Sequence, residues 1–240
     1  MRFFVPITLL YFIVLGIEIY AETINNLEWV WYTKPLLMPI LLILFLLNSK
    51  INPRKERLFL VGALIFSLAG DVFLMFRRED LFVFGLASFL IGHIAYILSF
   101  NGRIKAANVS MMQKVLTSLP FVIFVLAFLW ILYPYIMGKP ETQPLFAPVS
   151  VYASVIALMG FTAFLRRKGV SGFGFWAVFG GAVLFMLSDS CIAINKFIMD
   201  EQMPYKGLII MSTYGIAQYL MTIGTLKSNP SFILPPNHFK

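Results

Sequence analysis

Histidine, cysteine and charge are all scarce in this chain, and each scarcity removes a class of function. Only His93 and His238 are present, the latter in the C-terminal tail, so a zinc site built from three histidines is excluded. The one cysteine, Cys191, sits inside an apolar run and allows neither a disulfide framework nor a cysteine metal site. No G-x-S-x-G elbow occurs, and Ser188 beside Asp189 has no local histidine, which argues against a serine hydrolase. Charged residues make up 12% of the chain, against about 25% in soluble proteins, so a soluble globular domain is excluded as well.

What fills the chain instead is apolar sequence: 60% of its 240 residues are hydrophobic and the mean hydropathy is +0.84. Runs of about 20 apolar residues follow one another with short polar breaks, the pattern of an all-α polytopic membrane protein. Eight spans are predicted, at about 3–20, 35–47, 58–76, 81–100, 115–136, 148–165, 173–197 and 205–226, forming a single transmembrane domain over residues 1–240. The second is short, and Pro39 is expected to kink it. The first reads as a retained span: no A-x-A cleavage site follows it, and AETINNLEWVWY looks like an interfacial loop with aromatic anchors. The 25 phenylalanines at helical spacing are packing or lipid-facing residues.

The formal charge of +8 would point to nucleic acid in a soluble protein, but here the basic residues lie between the spans, where they orient helices. Nucleic acid is discounted as a partner. With eight spans, Arg2, the loops holding Arg54 and Arg166, the 101–114 loop, and Lys227 and Lys240 share one side, while Glu22, Glu28, Glu79, Asp80, Glu141, Asp200 and Glu201 fall on the other. Both termini are therefore expected in the cytoplasm. Arg77 and Arg78 are the exceptions to the rule, with Glu79 and Asp80 directly following them. The membrane would be the bacterial cytoplasmic membrane, or the endoplasmic reticulum if the host is eukaryotic.

Against this background two carboxylates are conspicuous. Asp71 interrupts FSLAGDVFLMF and Asp189 interrupts GGAVLFMLSDSCIAINKF, the latter with Ser188, Ser190, Asn195 and Lys196 nearby. A charged residue at the centre of a span costs about 2.5 to 3.5 kcal/mol on insertion scales, and its default reading is functional; the alternative is a hydrogen bond that fixes packing between spans. At 1.5 Å per residue, Asp71 lies about 8 Å and Asp189 about 12 Å below the non-cytoplasmic ends of their helices. His93 lies mid-span beside Gly85, Ser88 and Gly92, either as a structural hydrogen-bonding group or as an orienting group or proton relay. In the last span Tyr214 and Gln218 share a face and are expected to point inward, whereas Ser212 and Thr213 either join a site or bond back to their own helix. Neither acid has an evident lysine or arginine at its own depth.

Four stretches, 66–76, 82–100, 188–197 and 204–221, taken together and in this order, resemble the YhhN family, which includes the animal lysoplasmalogenases. The resemblance implies an eight-span membrane enzyme that hydrolyses the vinyl ether of lysoplasmalogens, releasing a fatty aldehyde and a glycerophospho-alcohol. It also implies Asp71 and Asp189 as the acidic pair, with His93, Asn195, Lys196, Tyr205, Ser212, Tyr214 and Gln218 around the substrate; Ser188 adjoins this set. For such a lysophospholipid substrate, lying among membrane lipids, Lys34, Lys196 or Lys206 are candidates to hold the phosphate, with snorkelling to the interface as the alternative for Lys206.

Vinyl ether hydrolysis proceeds by protonation of the β-carbon, addition of water to the oxocarbenium ion and collapse of the hemiacetal. It needs an acid and a base, which two carboxyl groups in different surroundings can supply without a metal or cofactor. The competing reading from the same residues is a membrane transporter that uses the two acids as a proton relay, or a lipid-binding protein. A-G-D and L-S-D are too short an echo to establish the repeated halves a transporter often shows.

Overall fold

Lipid offers the backbone no hydrogen-bond partners, so an apolar run that enters it must satisfy its own N–H and C=O groups as a helix. The computed structural model describes residues 3–50, 52–76, 79–106 and 109–228; Arg2, Arg77, Arg78, His238 and Lys240 lie outside them. Eight helices are present among the described residues, and all are long and apolar enough to cross a membrane. They are α1 (Phe4–Thr23), α2 (Leu27–Asn48), α3 (Arg54–Met75), α4 (Glu79–Ala106), α5 (Met111–Met137), α6 (Phe146–Leu165), α7 (Gly172–Ala193) and α8 (Lys206–Leu226). No strand occurs among these residues. The chain is a multi-pass membrane protein.

The second helix departs most from expectation. It begins at Leu27 rather than near 35, so the EWVWY stretch is helical and only a three-residue turn separates α1 from α2. Asn25 makes that turn in the left-handed region, with φ 53, and the Asn26 side chain caps the new helix by accepting from the Trp29 N–H at 3.2 Å. Pro35 and Pro39 both lie inside the helix, where neighbouring helices make such breaks tolerable. The consequence for the site is that Lys34 sits in a helix interior instead of at a membrane edge.

Seven helices close on one another in the order α1, α2, α3, α4, α6, α7, α8 and back to α1, while α5 stands outside this ring, against α6 and the end of α7. The α7–α8 pair is close because Gly181 leaves no room between them: a Cβ there would stand 2.9 Å from the Ala217 carbonyl oxygen. At its end α7 widens into a π turn, Ile194–Ile198. Asp200, Glu201 and Tyr205 then take left-handed φ values to bring the chain into α8. Widened turns of this kind are frequent at functional sites.

The end of the bundle that holds the basic loops is closed by buried polar pairs. The Asn52 side chain donates to the Thr225 carbonyl at 2.8 Å and to Glu56 at 3.0 Å, and Arg103 pairs with Glu56 at 2.7 Å. Arg166, placed by the charge pattern in one of the basic loops, is buried, stacked over the Phe100 ring and donating to Ser228 Oγ at 2.6 Å. The opposite end stays open, and it is there that the two aspartates lie.

Candidate active site

Each aspartate is held by a tyrosine on another helix. On α3, Asp71 accepts a hydrogen bond of 2.7 Å from the Tyr214 hydroxyl of α8. On α7, Asp189 accepts a short hydrogen bond from the Tyr152 hydroxyl of α6. The two acids lie within electrostatic reach of each other, but α3 and α7 are not ring neighbours. Between the acids stands a set of edge-to-face aromatic rings: Phe185 against Tyr214 at 5.3 Å, His93 against Phe185 at 4.7 Å and His93 against Tyr152 at 5.3 Å. Packing of this type is worth about 0.5 to 1.5 kcal/mol per pair beyond burial and fixes the rings in place.

His93 is buried, and neither ring nitrogen has a hydrogen-bond partner among the described residues. Its Nε2 stands 3.8 Å from Asp189 Oδ2, beyond a direct hydrogen bond. One turn further along α8, Gln218 donates to Ser67 Oγ at 2.9 Å and accepts from the Tyr96 hydroxyl. This second layer ties α3, α4 and α8 together beneath the Asp71–Tyr214 pair.

Lys34 brings a correction to the depth argument. It pairs with Glu22 at 3.1 Å, and it lies within electrostatic reach of both Asp71 and buried Glu18, whose carboxylate accepts from Thr33. A cation therefore does lie within electrostatic reach of Asp71, because α2 starts eight residues earlier than its apolar run suggests.

Two cavities meet at this end of the bundle. The first, of ≈ 510 Å³, is polar and is lined by Glu22, Lys34, Asn195, Lys196, Glu201 and Lys206. The second is an apolar slot of ≈ 50 Å³ between α4, α5, α6 and α7, with Phe82, Leu86, Tyr152, Asp189 and Ser190 in its walls. Leu74, Phe82 and Ile192 line both, so the two are contiguous. Asp189 lies in the wall of the slot, one turn from Ile192 at that junction; Asp71 lines neither cavity.

The remaining sequence-predicted residues divide. Asn195 and Lys196 line the polar cavity from the π turn, where Asn195 also accepts from the Met203 N–H at 3.1 Å and Lys196 pairs with Glu201 at 3.1 Å. Lys206 donates to the Glu201 carbonyl at 2.9 Å. Ser188 instead donates to the Ile210 carbonyl at 3.2 Å, and Ser212 bonds back to Ile209, so both hydroxyls are engaged by backbone and neither lines a cavity. Tyr205 is 72% exposed at the start of α8 and also stands away from both cavities. The sequence does not single out Tyr152 or Tyr96 as candidates. The available signal was a lone tyrosine between two serines in VSVYASV and another three residues after His93.

No group of three or more metal-ligating side chains occurs among the described residues. The arrangement is suited to an amphiphile: cations around a polar cavity, and an apolar slot adjoining it with a carboxylate in its wall.

The chain is similar in sequence to known lysoplasmalogenases. The chain is 31% identical over 192 residues to a lysoplasmalogenase of Homo sapiens, covering 79% of this chain and 71% of that one. It is 33% identical over 180 residues to a lysoplasmalogenase of Bos taurus, covering 74% and 68%. A lysoplasmalogenase of Mycobacterium tuberculosis is 32% identical over 173 residues, covering 71% and 61%. No solved structure matches. Residues 29–225, which include both aspartates and every residue of the two cavities except Glu22, match the YhhN family, and the chain belongs to it.

Proposed function

We propose that this protein hydrolyses the vinyl ether bond of a lysoplasmalogen inside the membrane, with Asp189 as the acid-base group and Asp71 as its electrostatic partner. That it is a lysoplasmalogenase-like hydrolase follows from its family and its relatives; the roles of the two acids are our reading. The observation that carries it is the position of Asp189 in the wall of the apolar slot, one turn from where the slot adjoins the lysine-lined cavity. In a lysoplasmalogen the vinyl ether lies between a water-soluble head and an apolar chain, so a molecule bound head-out across that junction presents its reacting carbons to Asp189.

Asp189 delivers a proton to the β-carbon of the vinyl ether, leaving an oxocarbenium ion. The carboxylate then takes a proton from the water that adds to the α-carbon. The hemiacetal collapses: its hydroxyl proton passes to the ether oxygen, the carbon–oxygen bond breaks, and aldehyde and glycerophospho-alcohol separate. Tyr152 holds the Asp189 carboxylate in place through this cycle. Asp71 faces the developing positive charge across an aromatic, water-poor interior, where electrostatic stabilisation is strongest.

The direct test is to incubate purified protein with lysolipids that differ only in the vinyl ether, ester or alkyl ether linkage, and to measure aldehyde. Release from the vinyl ether lipid alone is expected; folded protein that releases none would defeat the hydrolase reading.

The lysines of the polar cavity give a prediction about affinity. Lys34, Lys196 and Lys206 outnumber Glu22 and Glu201 there, so the cavity has a net positive charge that suits a phosphate. Changing all three lysines to Gln is expected to raise KM about tenfold or more, roughly 1.4 kcal/mol, with a smaller change in kcat. An unaltered KM would remove them from headgroup binding.

Orientation is a further expectation. The basic loops put the end bearing Arg54 and Arg167 in the cytoplasm and the polar cavity on the other side. In a Cys191→Ser background, Arg54→Cys and Arg167→Cys should react with an impermeant thiol reagent only after the membrane is opened. Labelling of both in sealed cells would reverse the orientation.

A further inference from the structure

We infer that the alkenyl chain of the substrate does not end in the slot beside Asp189 but continues into an apolar groove between α5 and α7, and that this groove sets chain-length preference. The inference rests on the hydrolase reading above.

The slot is small. Its ≈ 50 Å³ is room for only a few waters, far less than a long hydrocarbon chain needs. Beyond it, Phe124 and Met186 line both the slot and a second apolar cavity of ≈ 530 Å³, bounded by Leu116, Phe121, Phe164, Phe179 and Val183. From Asp189 to Phe179 along α7 is about 15 Å at 1.5 Å per residue, so the path runs from the reacting end past the middle of the span toward its opposite end. Its one hydroxyl-bearing residue, Thr117, bonds back to the Gln113 carbonyl at 2.6 Å and makes no demand on an apolar occupant.

The occupant is the substrate's own chain because the groove adjoins the slot at Phe124 and Met186 and is open at its side. Helix α5 stands outside the ring, so the groove beneath it faces the bilayer. The same geometry separates the two products by solubility. The glycerophospho-alcohol leaves through the lysine-lined cavity, and the aldehyde leaves sideways into lipid.

The junction has a natural control point at Gly160 on α6. A Cβ at this position would stand 2.7 Å from Met186 Sδ and 2.9 Å from Phe121 Cε1. A larger side chain must therefore displace Met186, a wall of both spaces, or Phe121. Phe124, on the lipid-facing side of the passage and only partly buried, offers a second change that the fold tolerates more readily.

The test compares octenyl and octadecenyl lysoplasmalogens on wild type, Gly160→Leu and Phe124→Trp. Both variants are expected to lose about tenfold or more in kcat/KM for the octadecenyl lipid, the equivalent of two methylenes kept out of apolar surroundings, and to lose distinctly less for the octenyl lipid, whose chain reaches the passage but not the length of the groove. Equal losses on both lipids in the folded variants, or no loss on either, would overturn the inference and leave the hydrolase reading standing. A lysoplasmalogen with a diazirine at the chain terminus gives a readout that does not need turnover. Crosslinks to Phe121, Phe179 or Val183 that excess unlabelled lysoplasmalogen removes are expected. Crosslinks confined to α1, α2 or α8, or labelling of the groove by a diacyl phospholipid probe that lysoplasmalogen does not displace, would show a tail path elsewhere or an ordinary lipid-facing surface. Groove labelling by a protein that releases no aldehyde would uphold the tail site and defeat the hydrolase reading.

Discussion

Asp189→Asn is expected to lower aldehyde release about a hundred- to ten-thousand-fold, the range that follows loss of a positioned acid-base group. The amide keeps the size of the side chain and can still accept from Tyr152, so the folded protein should persist at normal levels. What it cannot do is give a proton to the β-carbon and take one from water. Tyr152→Phe separates holding from transfer: it leaves the carboxylate and removes the donor, and is expected to cost less than Asp189→Asn. If carbon protonation limits the rate, turnover should also slow in deuterated water for the wild type. Near-wild-type turnover by folded Asp189→Asn would remove this residue from the chemistry, whatever the cavity looks like.

The parts of this site that were legible in the sequence are those in which a residue type conflicts with its surroundings. An aspartate inside LAGDVFL and another inside FMLSDSCIA are costly in lipid, and that cost is visible without a structure. The eight helices were legible for a related reason: apolar length is set by membrane thickness. What could not be read is partnership. Tyr152 and Tyr96 carry hydroxyls that matter because Asp189 and Gln218 stand opposite them, yet a tyrosine in a span has no conspicuous cost. Ser188 and Ser212 are equally visible as polar residues, and only the structure shows that backbone carbonyls receive their hydroxyls. Lys34 was misjudged in depth because Pro35 and the tryptophans before it resemble a membrane edge, while Asn26 caps a helix that has already begun.

Asp71→Asn should have a large effect of a different size and kind. Asp71 lines neither cavity, and its carboxylate is engaged by Tyr214 at 2.7 Å, so it does not touch the reacting carbons. In the proposed mechanism its contribution is the attraction between its charge and the oxocarbenium ion. A pair of unit charges in contact at about 4 Å is worth about 4 kcal/mol at an effective dielectric near 20, and proportionally less when further apart. A carboxylate one aromatic layer away therefore supplies roughly half of that or less, about 2 kcal/mol at most, so the expected loss is up to about thirtyfold in kcat, smaller than for Asp189→Asn, with KM nearly unchanged. A packing role predicts something else: with the Asp71–Tyr214 bond merely pinning α3 to α8, Asp71→Asn and Tyr214→Phe would both lower melting temperature, and activity per folded molecule would be normal. An electrostatic role predicts that Tyr214→Phe, which keeps the carboxylate, retains more of kcat than Asp71→Asn at matched stability. The reverse order, or a loss in Asp71→Asn greater than in Asp189→Asn, would exchange the roles of the two acids.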